Sequence, residues 1–285
     1  MSGTKRFYDH NCLIVFFKDQ QSVNKNFEEW YDFMMRIFEH FQIKPRIFAD
    51  DRGKRKFFKQ GIPHLIKKKF AGLTRLTLSF LEMEGRKEVN CSCFTKRTKP
   101  YFLLSYSDYF GQLNVQWVKS LLNEMLEKND VQYAYHARTS WDTDSHSFAM
   151  GSCDYFDSIE AMYECNNWNF FYNDSLNAGL LKDVYLINLL SPVFLERMLS
   201  LENTTLQTWI ESNPQNGKLE GTLRGSYFWM VEPENIPRIK EILRLNEDLP
   251  KNYFYLQNLK ASKEFHEQKV LKFIEDKRAF WESKK

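Results

Sequence analysis

The order in which strand-like and helix-like periodicities follow one another restricts the topology of this chain more than any other feature. Residues 12–17 (CLIVFF) form a short apolar run rich in branched side chains, which predicts a buried strand. Within residues 26–41, Phe27, Trp30, Tyr31, Met34, Ile37, Phe38 and Phe41 recur at spacings of three and four, the signature of an amphipathic helix. Residues 73–81 (LTRLTLSFL) alternate apolar with polar side chains, as a half-buried strand does, and residues 101–106 (YFLLSY) predict another. Val115, Val118, Leu121, Leu122, Met125 and Leu126 share one helical face, and residues 131–137 (VQYAYHA) return to alternation. Strand, helix, strand, strand, helix, strand is the order of a ferredoxin-like βαββαβ layer, an antiparallel sheet under two helices. The chain is therefore expected to be α+β.

The pattern changes character near residues 141–151 (WDTDSHSFAMG), a polar, turn-rich stretch. Residues 1–141 read as the ferredoxin-like half, with a basic insertion at 44–72. A second α+β half spans 142–250, and 251–285 reads as a charged amphipathic C-terminal helix. In the second half, residues 158–168 predict a helix and 184–190 (VYLINLL) a buried strand. Ser191 and Pro192 suit the N-cap and first position of a helix over 193–201. Arg224-Gly225 predicts a two-residue hairpin between strands at 219–223 and 226–231, since glycine supplies the positive φ. Ile236, Ile239, Ile242 and Leu243 define one more helix face.

Charge is distributed unevenly behind a formal net charge of only +3. Residues 52–99 hold 14 Lys and Arg against 3 acids, whereas residues 142–211 hold 11 acids against 2 basic residues. The basic stretch offers Lys54, Arg55, Lys56, Lys67, Lys68 and Lys69, with Phe57, Phe58 and Phe70 between them. Clustered cations with interleaved rings suit phosphates and stacked bases, which makes a nucleic-acid-binding module one functional reading. No nucleic-acid fold signature accompanies the patch, and a solvated lysine-rich face accounts for it equally. The acidic stretch places Asp142, Asp144, Asp154, Asp157 and Glu160 beside Trp141 and Tyr155. Rings with low entropy cost and carboxylates that steer association describe a surface for a basic protein partner. Aromatic residues make up 16% of the chain, enough to fill a core and leave rings for such a surface.

Signals for catalysis are absent. The sequence has no glycine-rich phosphate loop, no dinucleotide fingerprint and no Gly-x-Ser-x-Gly elbow. His136, Asp142, Asp144 and His146, with Cys153 nearby, offer oxygen and nitrogen donors, but not at a recognised ligand spacing. Cys91-x-Cys93 lacks the second pair a structural zinc needs. We therefore expect no metal and no cofactor. The five cysteines are odd in number and scattered, and no apolar run is long enough for a secretory or membrane segment. A reduced cytoplasm and no membrane partner are the expectation; nothing here speaks to oligomeric state.

Residues 182–245 carry a further pattern. Val184-Tyr185-x-x-Asn188-x-Leu190 leads into a short helix and then Trp209-Ile210. Gly221-Thr222-Leu223 and Trp229-x-Val231 follow, with Glu232 before Pro233 and a final helix. This order resembles the type VI secretion immunity proteins, within the wider polymorphic-toxin immunity group. The resemblance covers 64 residues, and its motifs are structural rather than chemical. It implies a cytoplasmic α+β protein that binds a cognate toxin and occludes its active site without catalysis. A nuclease toxin would suit it, because an acidic, aromatic surface on residues 142–174, with Trp141, Asp142, Asp144, Asp154 and Asp157 near the contact, would imitate a phosphate backbone.

Overall fold

The run at residues 12–17 becomes the centre of a sheet. In a computed structural model that describes residues 8–50, 55–57, 70, 73–82, 87–95, 100–111, 114–139, 148, 176–199 and 201–245, the first elements are β1 (His10–Phe17), α1 (Phe27–His40), β2 (Ile47–Ala49), β3 (Arg55–Phe57) and β4 (Arg75–Glu82). There follow β5 (Lys87–Phe94), β6 (Tyr101–Ser107), α2 (Val115–Lys128), β7 (Val131–Thr139), β8 (Ile187–Leu190) and α3 (Pro192–Leu195). β9 (Met198–Leu199), β10 (Thr204–Thr205), α4 (Leu206–Ser212), β11 (Lys218–Gly221), β12 (Tyr227–Met230) and α5 (Ile236–Leu245) complete the order.

Ten strands form one sheet in the order β11-β12-β8-β7-β1-β6-β5-β4-β2-β3, and β9 and β10 make a separate ribbon. Every residue of β1 is buried, because both faces of the sheet are covered. Leu13, Val15 and Phe17 face α1 and α2, where Trp30, Met34, Ile37, Phe38, Val118 and Leu122 meet them. Cys12, Ile14 and Phe16 point the other way, into a second core with Phe194, Leu206, Trp209, Trp229, Ile239 and Leu243. Each large apolar side chain so enclosed contributes roughly 1.5–3 kcal/mol. Both long helices start as their sequences dictate. The Asn26 side chain accepts the Glu28 N–H, and that of Asn114 accepts the Trp117 N–H.

The βαββαβ kernel is present, with β7-β1-β6-β5 as neighbouring antiparallel strands. Its second strand differs from expectation. Residues 73–81 do form a strand, β4, but β5 lies between it and β6. Residues 87–94 alternate as a strand should, yet their inward side chains are Val89, Cys91 and Cys93, too small to make a conspicuous apolar run. Burial pushes both thiols well above their ordinary range, so they behave as inert apolar groups.

The sheet continues without a break from β7 into β8, through His136↔Ile187 and Tyr133↔Leu190. The helix expected over 193–201 is a single turn, after which Met198 and Leu199 pair with Thr204 and Thr205 across a turn where Asn203 has φ 49°. Ser191 and Pro192 do occupy the N-cap and first helical position. The β11–β12 connection is wider than a two-residue hairpin. It spans Thr222 to Ser226, closed by Thr222 N–H donating to the Ser226 carbonyl, with Arg224 and Gly225 at φ 58° and 71°. Arg224 reaches back to pair with Asp130, which spends the side chain the sequence placed in a turn on a tertiary contact. The helices expected at 158–168 and 251–285 lie outside the described residues.

Candidate functional site

Strand register brings distant polar residues to one end of the sheet. Asn11 sits opposite Arg138 on one side and Tyr106 on the other, while Leu13, His136 and Ile187 stand in one row across β1, β7 and β8. β6 ends at Ser107, so Asp108 follows beside Asn11 and accepts its side-chain amide at 2.5 Å. The second carboxylate oxygen of Asp108 pairs with Arg138, which also approaches Asp9 at 3.4 Å. Here the chain leaves a cleft of about 630 Å³, floored by Asn11, Asp108, His136 and Arg138. Its apolar walls are Val115 at the start of α2, Val184, Leu186 and Ile236. Tyr185 and Lys240 complete it.

The walls are held in place. Asn188 is fully buried and donates its amide to the Tyr185 carbonyl at 2.7 Å, while the Tyr185 ring stacks on Tyr135 at 4.5 Å and 12°. Lys240 is paired with the buried carboxylate of Asp183, whose other oxygen accepts the Val184 N–H at 2.8 Å. Val184 and Tyr185 thus line one side of this cleft, and Asn188 holds the Tyr185 backbone behind it.

His136 is the unusual member. Only 3% of the residue is exposed, and its Nε2 is buried without a hydrogen-bond partner among the described residues. Burial drives its pKa down to about 4, against the weaker opposing influences of its own backbone and of Asp108. The ring is neutral in the folded chain at neutral pH. Above about pH 6.5 it is neutral in the unfolded chain too, so its contribution to stability is fully present. As pH falls from about 6.5 to about 4, the unfolded chain takes up a proton that the folded chain refuses. Stability is expected to fall by roughly 3 kcal/mol across that window. Urea unfolding at pH 7 and pH 4.5 checks this: His136→Gln should lose clearly less stability on acidification than the native chain, and equal losses would refute the assignment.

The residues singled out from sequence are distributed differently. Trp141, Asp142, Asp144, His146, Asp154, Tyr155, Asp157 and Glu160 lie outside the described residues, as do Lys54, Lys67, Lys68 and Lys69. Arg55 and Lys56 fall on β3, the outermost strand, in register with Ala49 and Phe48. Of the histidine–aspartate group, His136 is described, and among the described residues no three His, Cys, Asp or Glu side chains are placed to hold a metal ion. Likewise, no described helix is long and apolar enough to cross a membrane. Asn11, Asp108, Arg138 and Lys240 were not singled out in advance. No local spacing could have grouped them, since Asn11 and Asp108 are 97 residues apart.

No protein-family model matches this chain, and no curated protein is similar enough to count as a relative. Among solved structures, a Pseudomonas aeruginosa T6SS protein aligns over 85% of this chain and 75% of its own, with TM-score 0.48 and 12% identity. A chain from the toxic C-terminal tip of CdiA from Pseudomonas aeruginosa in complex with immune protein aligns over 45% of this chain and 85% of its own, with TM-score 0.21 and 12% identity.

Proposed function

We propose that this chain is a non-catalytic immunity-type protein that binds a cognate bacterial toxin and blocks it. One observation carries the reading. Of five large apolar residues exposed among the described ones, four (Val193, Met198, Leu201 and Leu223) fall within the stretch that resembles the immunity proteins. Met198 is 54% and Leu201 68% exposed, although the neighbouring Phe194, Leu195 and Leu199 are fully or almost fully buried. Apolar side chains held outward by a rigid, well-packed support are what a protein-binding surface needs. Phe194, Leu195 and Leu199 anchor this stretch in the second core, so little ordering cost accompanies binding.

The acidic residues Asp142, Asp144, Asp154, Asp157 and Glu160, with Trp141 and Tyr155, supply the complementary charge for a basic toxin cleft and rapid capture. Occlusion of the toxin's active site is the mode this assigns. The test is co-expression with candidate toxin domains, taken first from any large protein encoded next to this chain. The native chain should restore growth and co-purify with the toxin, and reversal of Asp154 and Asp157 to lysine should slow association at least about tenfold at low salt. Absence of both a complex and protection would refute the reading.

A further inference from the structure

We infer that the outer edge of β11 receives an extended, basic segment of a protein partner, which joins the sheet as a further strand. Among the described residues β11 is the last strand on its side of the ten-stranded sheet, and it pairs with β12 alone. Its register with β12 runs without a shift, and its four residues, Lys-Leu-Glu-Gly, include no proline. Neither a bulge nor a proline therefore blunts this edge. Leu223, 43% exposed, follows directly on β11, so the edge continues the apolar surface proposed for the partner.

The ladder decides which backbone groups are open. The Thr222 N–H donates to the Ser226 carbonyl at 2.9 Å, one rung beyond the pair Gly221↔Tyr227. Backbone direction alternates along an antiparallel strand, so Lys218 and Glu220 also turn their N–H and C=O groups toward β12. Leu219 and Gly221 turn theirs outward, two donors and two acceptors at the repeat of a strand. An incoming antiparallel strand can bond to all four.

The side chains decide what that strand carries. Glu220 lies opposite Phe228, on the face covered by α2, where it pairs with Lys119 at 2.5 Å. Between α2 and this edge runs a polar groove of about 430 Å³, lined by Lys119, Ser120, Asn123, Glu124, Glu127 and Glu220. Lys119 answers Glu220 and Arg36 answers Glu124, which leaves Glu127 as the carboxylate in excess. On the incoming strand, the residue opposite Glu220 falls in a non-hydrogen-bonded pair, with its side chain close to that of Glu220 and over the groove. Lysine or arginine fits there, and a carboxylate does not. The same charge disfavours a second copy, since two β11 edges brought together would set one acidic groove beside another.

The open edge stands by itself, whereas a toxin as the source of the strand rests on the reading above. The probe is a capped peptide, Thr-Val-Thr-Arg-Thr-Val-Thr, compared with its counterpart bearing glutamate at the centre, and the backbone amides of the native chain are followed by proton–nitrogen NMR. The arginine peptide should slow hydrogen exchange at the Leu219 and Gly221 amides and leave that of Glu220 unchanged, because Glu220 already bonds to β12. It should bind at least about threefold more tightly than the glutamate peptide at low salt, and Glu127→Gln should reduce that preference. No change at Leu219 and Gly221 at saturating peptide, or equal binding of the two peptides, overturns the proposal. So does protection of both amides in the free chain, which would mean that the edge is already covered by this chain or by a second copy.

In the second arm, the same two amides should become protected in the toxin complex. Leu219→Pro, which removes an outward N–H and keeps the ladder to β12, should weaken that complex at least about tenfold with an unchanged circular dichroism spectrum. The amides are read in the native complex, so this arm does not depend on the folding of the variant. A toxin complex in which both stay unprotected overturns the edge as the contact, while the toxin-binding reading stands. If the arginine peptide is taken up as stated but no toxin is bound or neutralised, the toxin-binding reading falls, and the edge remains a site for a basic strand of another protein.

Discussion

Replacement of Trp229 by alanine is expected to destabilise the fold by about 3–5 kcal/mol, the largest single-residue effect foreseen for this chain. Trp229 is completely buried on β12, facing the core shared by α3, α4 and α5. Its Nε1–H donates to the Asn216 carbonyl at 2.8 Å. Asn216 is itself buried and joins three elements: its amide donates to the Trp209 carbonyl at 2.7 Å, and its side-chain oxygen accepts from Arg238 at 2.8 Å. Truncation therefore opens a cavity and leaves a buried carbonyl unmet, two costs that add. Urea unfolding measures the sum, and at this chain length the melting temperature should drop by roughly 10 °C. Trp229→Phe keeps most of the packing and loses the donor, so it should cost about 1–3 kcal/mol. A loss below about 1 kcal/mol for the alanine variant would mean that the second core collapses around the gap and is not closely packed.

The second large effect is at Gly217. Its backbone, at φ 101° and ψ −174°, lies in a region essentially restricted to glycine. A methyl group placed there would stand 2.5 Å from the Met230 carbonyl oxygen and 2.6 Å from Nε1 of Trp229. Gly217→Ala should thus combine backbone strain with a clash against the strand β12, about 2–5 kcal/mol in total. Gly111 separates the two causes. It has φ 115° and ψ 164°, but an added methyl group would meet nothing within 4 Å. Gly111→Ala should show the strain alone, about 1–3 kcal/mol. Because Trp229 provides part of the clash, the Gly217→Ala and Trp229→Ala losses should sum to more than that of the double variant. Strict additivity would show that the methyl group is met by the Met230 backbone alone.

These two sites also measure how far the sequence could be read. Trp229 stands out as the tryptophan of the strand expected at 226–231, whereas nothing singled out Gly217. That the indole would donate to the carbonyl just before that glycine follows only from the β11–β12 register, in which Leu219 lies opposite Trp229. The same division holds at the cleft. His136 was visible as a polar residue in an alternating strand, but its burial depends on the shared row Leu13–His136–Ile187 and on helices covering that face. The acidic and basic stretches were visible at once, because charge composition is a property of the chain and not of its fold. β5 escaped notice because valine and two cysteines carry its inward face.

Local chemistry determined the elements: the apolar run of β1, the three-and-four spacing of α1 and α2, their asparagine caps, and the α+β class. Each depends on residues within a few positions of one another, so a linear reading suffices. The tertiary structure decided which strands are neighbours, that β5 stands between β4 and β6, and that Asn11, Asp108, His136, Arg138 and Lys240 surround one cleft. Those outcomes rest on contacts across about a hundred residues, as between Asn11 and Asp108, and no periodicity extends so far along a chain.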